Sequence, residues 1–405
     1  MAQQMTTDDG NEDHIQHPKI YAKDSMDRFG DDMYGLILSY LSLEDRFRLE
    51  CVSKQFQRTV FGSVVFIDIN NQFNNKSETC FKAMIEMLAK KCPNIQTIDF
   101  REMFIECEEH IPEVLRLLRD NCLNLREVYC SSWEYTTQLY QQFGPLVTRI
   151  DCDALSDTVV DTTSGQLLAN NLKTFEFYCY YIEDRQLFTA FVAHNQCLKS
   201  LGIKYIYDDL NDTLPELAVQ LSRLTQLRRL SLGFRIKGSQ HSFNDYLRTI
   251  GVNCKQLKRL SFSLHSKKSE YNLKTLDSLA YFRRLKRLDL TLYVTVDEIS
   301  LDVLRECRRL THLDIYLTKM NANVFKIIRE NCPQLQYLCI QNMNSIIDTE
   351  YLDQISRLPA LQMFVIHCKR SGSLRDNDFW DLLSRSPKLK TIEIHVKNVK
   401  KFYSK

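Results

Sequence analysis

Glycine and proline are scarce in this chain, 11 and 8 of 405 residues, which argues against disorder and against loop-rich β architectures. Neither sign of charge dominates: 53 Lys and Arg stand against 51 Asp and Glu. Nucleic-acid binding through counterion release needs clustered positive charge, so no nucleic acid partner is expected of the chain as a whole. Long apolar runs are missing too. No window approaches the roughly 18 consecutive apolar residues of a membrane span, and no membrane partner is expected. The opening stretch MAQQMTTDDGNEDHIQH has no basic start leading into an apolar run, so it does not read as a secretory signal. These absences predict a cytoplasmic protein, with the nucleus as a second compartment, and reduced thiols.

The familiar chemical constellations are absent as well. There is no Gly-x-x-x-x-Gly-Lys-Ser/Thr loop, no Gly-x-Gly-x-x-Gly, no His-Glu-x-x-His and no Gly-x-Ser-x-Gly. The 14 cysteines include no Cys-x-x-Cys pair and the 9 histidines are scattered, so neither a metal nor any other cofactor is expected. The sequence nominates no catalytic residue and predicts a protein that is not an enzyme.

What is present is a repeat. Ile95-x-x-Ile98-x-Phe100 and Leu125-x-x-Val128-x-Cys130 open a series that resumes at Leu172. It continues from Leu198, Leu227, Leu257, Leu285, Leu310, Leu335, Leu361 and Leu389, each followed by aliphatic or aromatic residues three and five positions on. A weaker copy, Val147-x-x-Ile150-x-Cys152, fills the gap before Leu172. Eleven steps carry the pattern from residue 95 to residue 389, a mean period of about 27, within the range of leucine-rich repeats. Alternate residues of a strand face opposite ways, so the fourth and sixth positions point into a core that one strand cannot bury alone. Stacked copies share that core. Helical spacing lies between the strands, as in Phe81, Met84, Ile85 and Leu88, or Val324, Ile327 and Ile328. The predicted class is α/β: a leucine-rich-repeat solenoid over 62–405 with about 12 repeats, strands inside and helices outside.

Cysteine has a place in this register. Cys92, Cys122, Cys254, Cys307 and Cys332 each precede a leading aliphatic residue by three positions. They are expected to pack as small buried hydrophobes where a helix ends and the chain turns toward the next strand. Cys152 and Cys339 fall outside that register. The spacing resembles the cysteine-containing class of leucine-rich repeats.

Residues 1–24 are polar and acidic and read as a disordered tail. A small three-helix module is expected over 25–61. Met33, Leu36, Ile37, Tyr40 and Leu41 have helical spacing, and Ser42 is placed to cap a second helix carrying Phe47 and Leu49. Val52, Phe56 and Val60 recur at spacing four for a third. The string Ser39-Tyr40-Leu41-Ser42-Leu43-Glu44-Asp45, the helix residues Leu36, Ile37 and Leu38, and Val52-Ser53-Lys54-Gln55-Phe56 resemble the F-box family. A plain cap on the first repeat would need no such string. Phe29-Gly30-Asp31-Asp32 stands where the family has Leu-Pro-x-Glu, and Phe56 stands for Trp. The resemblance implies binding of a Skp-family adaptor, and through it a cullin, by Phe29, Gly30, Asp32, Met33, Leu36, Ile37, Leu41, Leu49, Val52 and Phe56. It also implies that the repeats hold a protein substrate for ubiquitination. The alternative is a repeat scaffold with no ubiquitin role.

If the strands line a concave face, its outward residues are the third, fifth and seventh of each repeat. Arg229, Arg259 and Arg287 then form a ladder on adjacent strands, with Asp289, Asp314, Tyr316 and Tyr337 beside them. Like charges directly opposite destabilise a sheet. The plainer reading is a solvated face partly neutralised by Asp289 and Asp314; the other is a surface for an acidic or phosphorylated target. Arg228, Lys258 and Lys286, in second positions, are expected to serve solubility.

Overall fold

The computed structural model describes residues 31–52, 54–69, 78–101, 111–131, 143–152, 160–161, 163–169, 171–178, 185–208, 213–236, 243–266, 276–293, 301–317, 322–342, 349–368, 374–396 and 399–405. The tail expected at 1–24, with Phe29 and Gly30, lies outside the described residues, as do the side chains of Asp32 and Phe56.

Each Leu-x-x-Leu-x-Leu segment becomes a short strand, and the strands join in chain order into one 14-stranded sheet. They are β1 (Phe66–Asp68), β2 (Thr97–Asp99), β3 (Glu127–Ser131), β4 (Val147–Cys152), β5 (Thr174–Tyr178), β6 (Ser200–Asp208) and β7 (Arg229–Ile236). Then come β8 (Arg259–Ser266), β9 (Arg287–Tyr293), β10 (His312–Leu317), β11 (Tyr337–Asn342), β12 (Met363–Cys368), β13 (Thr391–Val396) and β14 (Val399–Ser404). From β1 to β13 every neighbour is parallel. The continuous parallel array expected over 95–394 is therefore present.

Register puts core residue against core residue. Leu230, Leu260, Leu288, Leu313 and Leu338 are successive partners, and each is at most 2% exposed. A slip of one residue would turn this whole row to solvent, so the apolar pattern itself locks the ladder. The weak copy at Val147 is a full member of the sheet, pairing with β3 and β5.

Two strands escape the sequence reading. Val64, Ile67 and Ile69, all buried, repeat the leader spacing once before Ile95, and β1 pairs with β2. At the other end β14 has no repeat leader and runs antiparallel to β13. It covers an edge that would otherwise offer unpaired backbone groups. The Tyr403 hydroxyl donates to Asp376 Oδ1 at 2.9 Å, and Lys401 Nζ reaches the same oxygen at 2.7 Å.

Helices fill the crossovers, at Glu78–Lys91, Ile111–Asn121, Arg185–His194, Thr213–Ser222, Phe243–Asn253, Ala322–Asn331, Thr349–Ser356 and Asp376–Arg385. Two crossovers use 3₁₀ turns instead, Asp277–Tyr281 and Asp302–Glu306. A 3₁₀ turn returns to the same face every three residues. Leu276, Leu279 and Phe282, then Leu301, Leu304 and Cys307, follow that spacing and are buried.

The repeat cysteines sit at the helix ends, as expected, and a reason for cysteine there is visible. The last carbonyls of a helix lack intrahelical partners. Cys122 Sγ lies 3.9 Å from the carbonyl oxygen of Ala89 in the last turn of the preceding helix and 3.4 Å from that of Cys92 just past it, and Cys254 Sγ lies 3.5 Å from those of Leu221 and Leu224. Each thiol thus offers a weak donor to the preceding repeat. Asn195 takes the same register, its amide donating to the carbonyls of Phe191 and Gly165 at 2.6 and 3.1 Å. Burial pushes the thiols of Cys92, Cys254, Cys307 and Cys332 up to about 12, and that of Cys122 to about 11.

The N-terminal module has three helices, α1 (Asp31–Ser39), α2 (Leu43–Arg48) and α3 (Lys54–Gly62). Ser42 caps α2 as the sequence predicts, accepting from the Asp45 amide at 3.1 Å. Val52 precedes α3 rather than lying on it. Phe47 and Phe61 pack at 5.1 Å inside the module, and the module docks on the first repeat through Lys91, whose Nζ lies 5.0 Å from the Phe61 ring centroid and pairs with Glu50 at 2.6 Å. Leu38, Val60 and Phe61 belong to the core that continues through the sheet.

Three outcomes test this packing. Gly165 adopts φ 73°, and a Cβ there would lie 2.5 Å from the carbonyl carbon of Ala190. Gly165→Ala is expected to lower stability by about 1–3 kcal/mol in urea unfolding. Gly35→Ala, where an added methyl meets nothing within 4 Å, should be neutral or stabilising by about 0.5–1 kcal/mol in its helix. Thiol titration of the native protein should label exposed Cys51 and Cys197 well before the five repeat cysteines, which react only on unfolding.

Candidate functional site

Two surfaces collect the residues nominated by the sequence. The first is the outer side of the three-helix module. A helix this short cannot bury its whole apolar stripe, and α1 turns Leu38 inward, fully buried, while Met33 and Leu36 remain 48% and 55% exposed. Tyr40, Leu49 and Val52 are exposed beside them. Ile37 is half-buried, and Leu41 packs against the protein's own core. Of the ten nominated residues, Met33, Leu36, Leu49 and Val52 thus present apolar surface outward. Leu41 holds the module together.

The second surface is the face of the sheet away from the helices. On β2 to β6 its charges alternate. Arg101 pairs with Asp99 at 2.6 Å and with Asp151 at 3.0 Å. Arg149 reaches Asp151 at 3.5 Å and Glu176 at 3.0 Å, and Lys204 closes the series on Glu176 at 3.2 Å. Gly202 leaves room for it, since a Cβ there would lie 2.8 Å from Glu176 Cγ. Hydrogen bonds that Arg101 donates to Asp99, and the charges of Asp99 and Asp151, raise the Arg101 pKa despite its partial burial.

On β7 to β9 the alternation stops. Arg229, Arg259 and Arg287 are register partners on adjacent strands, about 4.8 Å apart along the sheet. Among the described residues only Arg287 of the three has a counter-ion: its Nε lies 3.0 and 3.1 Å from the two oxygens of Asp289. Among the described residues no hydrogen bond or ion pair holds the guanidinium of Arg229 or Arg259. Partial burial, then the charges of Arg229 and Arg287, hold Arg259 below the ordinary arginine range. Among the described residues Asp314 forms no ion pair with the ladder, although the charge of Arg287 acts on it. Gln341 donates to it at 3.0 Å, and burial and Asp289 raise its carboxyl above the usual carboxylate range.

The basic residues of the second and third positions meet in one depression. Its volume is about 340 Å³, and Arg228, Arg229, Lys258, Arg259, Lys286 and Arg287 line it with Thr311 and His312. His312 is held below its usual pKa by burial and by Arg287 and Arg259. The second-position cations, expected to serve only solubility, therefore belong to the same site as the ladder. The signal was present in sequence as three basic pairs, Arg228-Arg229, Lys258-Arg259 and Lys286-Arg287.

Aromatic side chains continue the face. His265 stacks on Tyr293 at 4.1 Å, Tyr293 packs on Tyr316 at 4.3 Å, and His312 stacks on Tyr337 at 5.7 Å. Tyr316, nominated as an open contact, is only 6% exposed. Cys339 is 2% exposed at an outward position, and burial raises its thiol to about 12, so it is no accessible nucleophile. Among the described residues no group of three or more His, Cys, Asp or Glu could hold a metal, and no helix is long and apolar enough to cross a membrane.

A three-helix module with apolar residues outward, seated on a parallel leucine-rich-repeat sheet with a charged face, defines a two-part binding protein. Its front part is an F-box domain, whose family model matches residues 26–67; the protein is an F-box domain followed by a leucine-rich-repeat solenoid. That match extends the expected module at 25–61 into β1. No curated protein matches the sequence. Among solved structures the chain is similar to the crystal structure of the Rad7 and Elc1 complex in yeast, at 13% identity and a TM-score of 0.47, over 89% of this chain and 92% of that one. It is also similar to the TLR13–ssRNA13 complex, at 13% identity and a TM-score of 0.35, over 84% of this chain and 47% of that one.

The two charge patterns predict opposite responses. Arg101→Gln leaves Asp99, 6% exposed, without its cation and should lower stability by about 2 kcal/mol. Arg259→Gln removes a like charge from between two others, so its unfolding free energy in urea should hold or rise, by at most about 1 kcal/mol.

Proposed function

We propose that the protein is the substrate-recognition subunit of a Skp–cullin–F-box ubiquitin ligase. The F-box holds a Skp-family adaptor, and through it a cullin, while the sheet face of the repeats holds a target protein. The observation that carries this reading is the division of the F-box apolar residues. Leu38, Val60 and Phe61 are buried in a core continuous with the repeats, whereas Met33, Leu36, Leu49 and Val52 stay exposed on a domain whose family binds Skp-type adaptors. Four large apolar side chains left exposed on so small a domain are surface that a partner can cover. Phe29, Gly30, Asp32 and Phe56 are assigned to the same contact by their places in the F-box pattern, and half-buried Ile37 to its edge.

The repeats make the arrangement useful because docking on the first repeat fixes the F-box to the solenoid. A target on the sheet face would be held near the ubiquitin-charged enzyme, raising the effective concentration of its lysines. On this reading the protein performs no bond chemistry itself.

Co-purification of the full chain with a Skp-type adaptor tests the proposal. Wild type should recover the adaptor, and Leu36→Asp should weaken recovery by roughly 30-fold or more, as loss of an interface hot spot does. Leu36 is more than half exposed, so the variant should keep the wild-type unfolding midpoint. A wild-type chain that recovers no adaptor would overturn the ligase reading in favour of a repeat scaffold.

A further inference from the structure

The depression on β7 to β9 is unlike the rest of the sheet face. On β2 to β6 the face alternates sign, and Arg101, Arg149 and Lys204 each meet a carboxylate within 3.5 Å. Here six cations converge around about 340 Å³ with one carboxylate, Asp289, bound to one of them. Like charges set directly opposite one another oppose sheet formation, and the fold tolerates three in a row. Arg229 and Arg259 are exposed and lack an internal partner among the described residues, so their forked donors are open to an incoming anion.

We propose that the depression lined by Arg228, Arg229, Lys258, Arg259, Lys286 and Arg287 is the primary anchor for a short acidic segment of a target protein, presenting two or three carboxylate or phosphoryl groups. The inference deepens the receptor reading and names the chemistry of the target. The geometry fixes the size of the anion. Three strands span about 10 Å, which an extended segment crosses in about three residues. Sign changes on both sides limit it further. Toward the N-terminus Glu176, Asp151 and Asp99 share the sheet face with the cations they bind. Toward the C-terminus Asp289 and Asp314 follow, then Glu393, which pairs with Lys400 at 2.6 Å. A nucleic acid strand, charged at every residue, would run its phosphates against those carboxylates. A compact acidic cluster fits between them, and the half-buried rings of Tyr293, His312 and Tyr337 lie alongside for the less polar residues that flank it.

The test is fluorescence polarisation of the purified full chain against four labelled probes of equal length. These are a peptide with four consecutive Glu, the same peptide with two of them replaced by phosphoserine, its all-Gln counterpart, and a uridine oligonucleotide. The acidic peptides should bind and the Gln peptide should not, and the phosphoserine form tells phosphoryl from carboxylate recognition. Arg229→Gln/Arg259→Gln/Arg287→Gln should weaken acidic-peptide binding roughly tenfold or more. Arg223→Gln/Arg283→Gln/Arg308→Gln, an equal charge loss at exposed residues away from the depression, should leave it unchanged. Single Arg229→Gln and Arg259→Gln variants break no internal contact and cover the case in which the triple variant fails to fold. Equal binding of acidic and Gln peptides, equal loss in both triple variants, or tighter binding of the oligonucleotide would each overturn the inference. Adaptor recovery, measured on the same variants, should match wild type. An anchor that fails while the adaptor still binds leaves the ligase reading intact, and the reverse result separates the two the other way.

Discussion

The molecule depends on one constraint: no strand here can bury its apolar side without the next. Each contributes only two or three inward residues, such as Leu288, Leu290 and Leu292 on β9, all at most 1% exposed. Their burial is complete only because Leu260 and Leu313 lie in register on either side. Stability in such an array comes from the interfaces between repeats. The ends then need covers. The F-box module with β1 closes the front, and antiparallel β14 closes the back.

The front cover does more than close the core. Its inward residues merge with the first repeat through Phe61 and the Lys91–Glu50 pair, so the module is fixed to the solenoid. Its outward apolar residues are left for another molecule. In the proposed ligase this rigidity sets the distance between adaptor and target, which is the whole of the receptor's contribution to catalysis.

Because the core needs only alternate positions, the outward positions are free to carry other chemistry. The N-terminal half of the sheet uses them for an alternating ion-pair series that ties β2 to β6. The middle uses them for a basic depression that the fold itself does not neutralise. The aromatic stacks beside it show a third use of the same positions.

Much of this was written in the local pattern. Periods of two within strands and about 27 between them are properties of the chain, so the parallel array, its register and even the weak copy at Val147 could be read directly. So could the Ser42 cap and the buried cysteines, because each depends on neighbours a few residues away. The caps β1 and β14 were harder. Three residues at Phe66–Asp68 carry too short a signal, and β14 pairs antiparallel without any repeat leader. The candidate sites were legible as positions but not as environments. Sequence placed Arg229, Arg259 and Arg287 on one ladder. Only the fold showed that Asp289 serves one arginine, that Asp314 turns to Gln341 instead, and that Tyr316 is covered. It also drew Arg228, Lys258 and Lys286 into the same depression. Register follows from alternation along a strand, whereas pairing and exposure depend on which side chains the neighbouring strands bring within a few ångströms, and that is decided only once the sheet has closed.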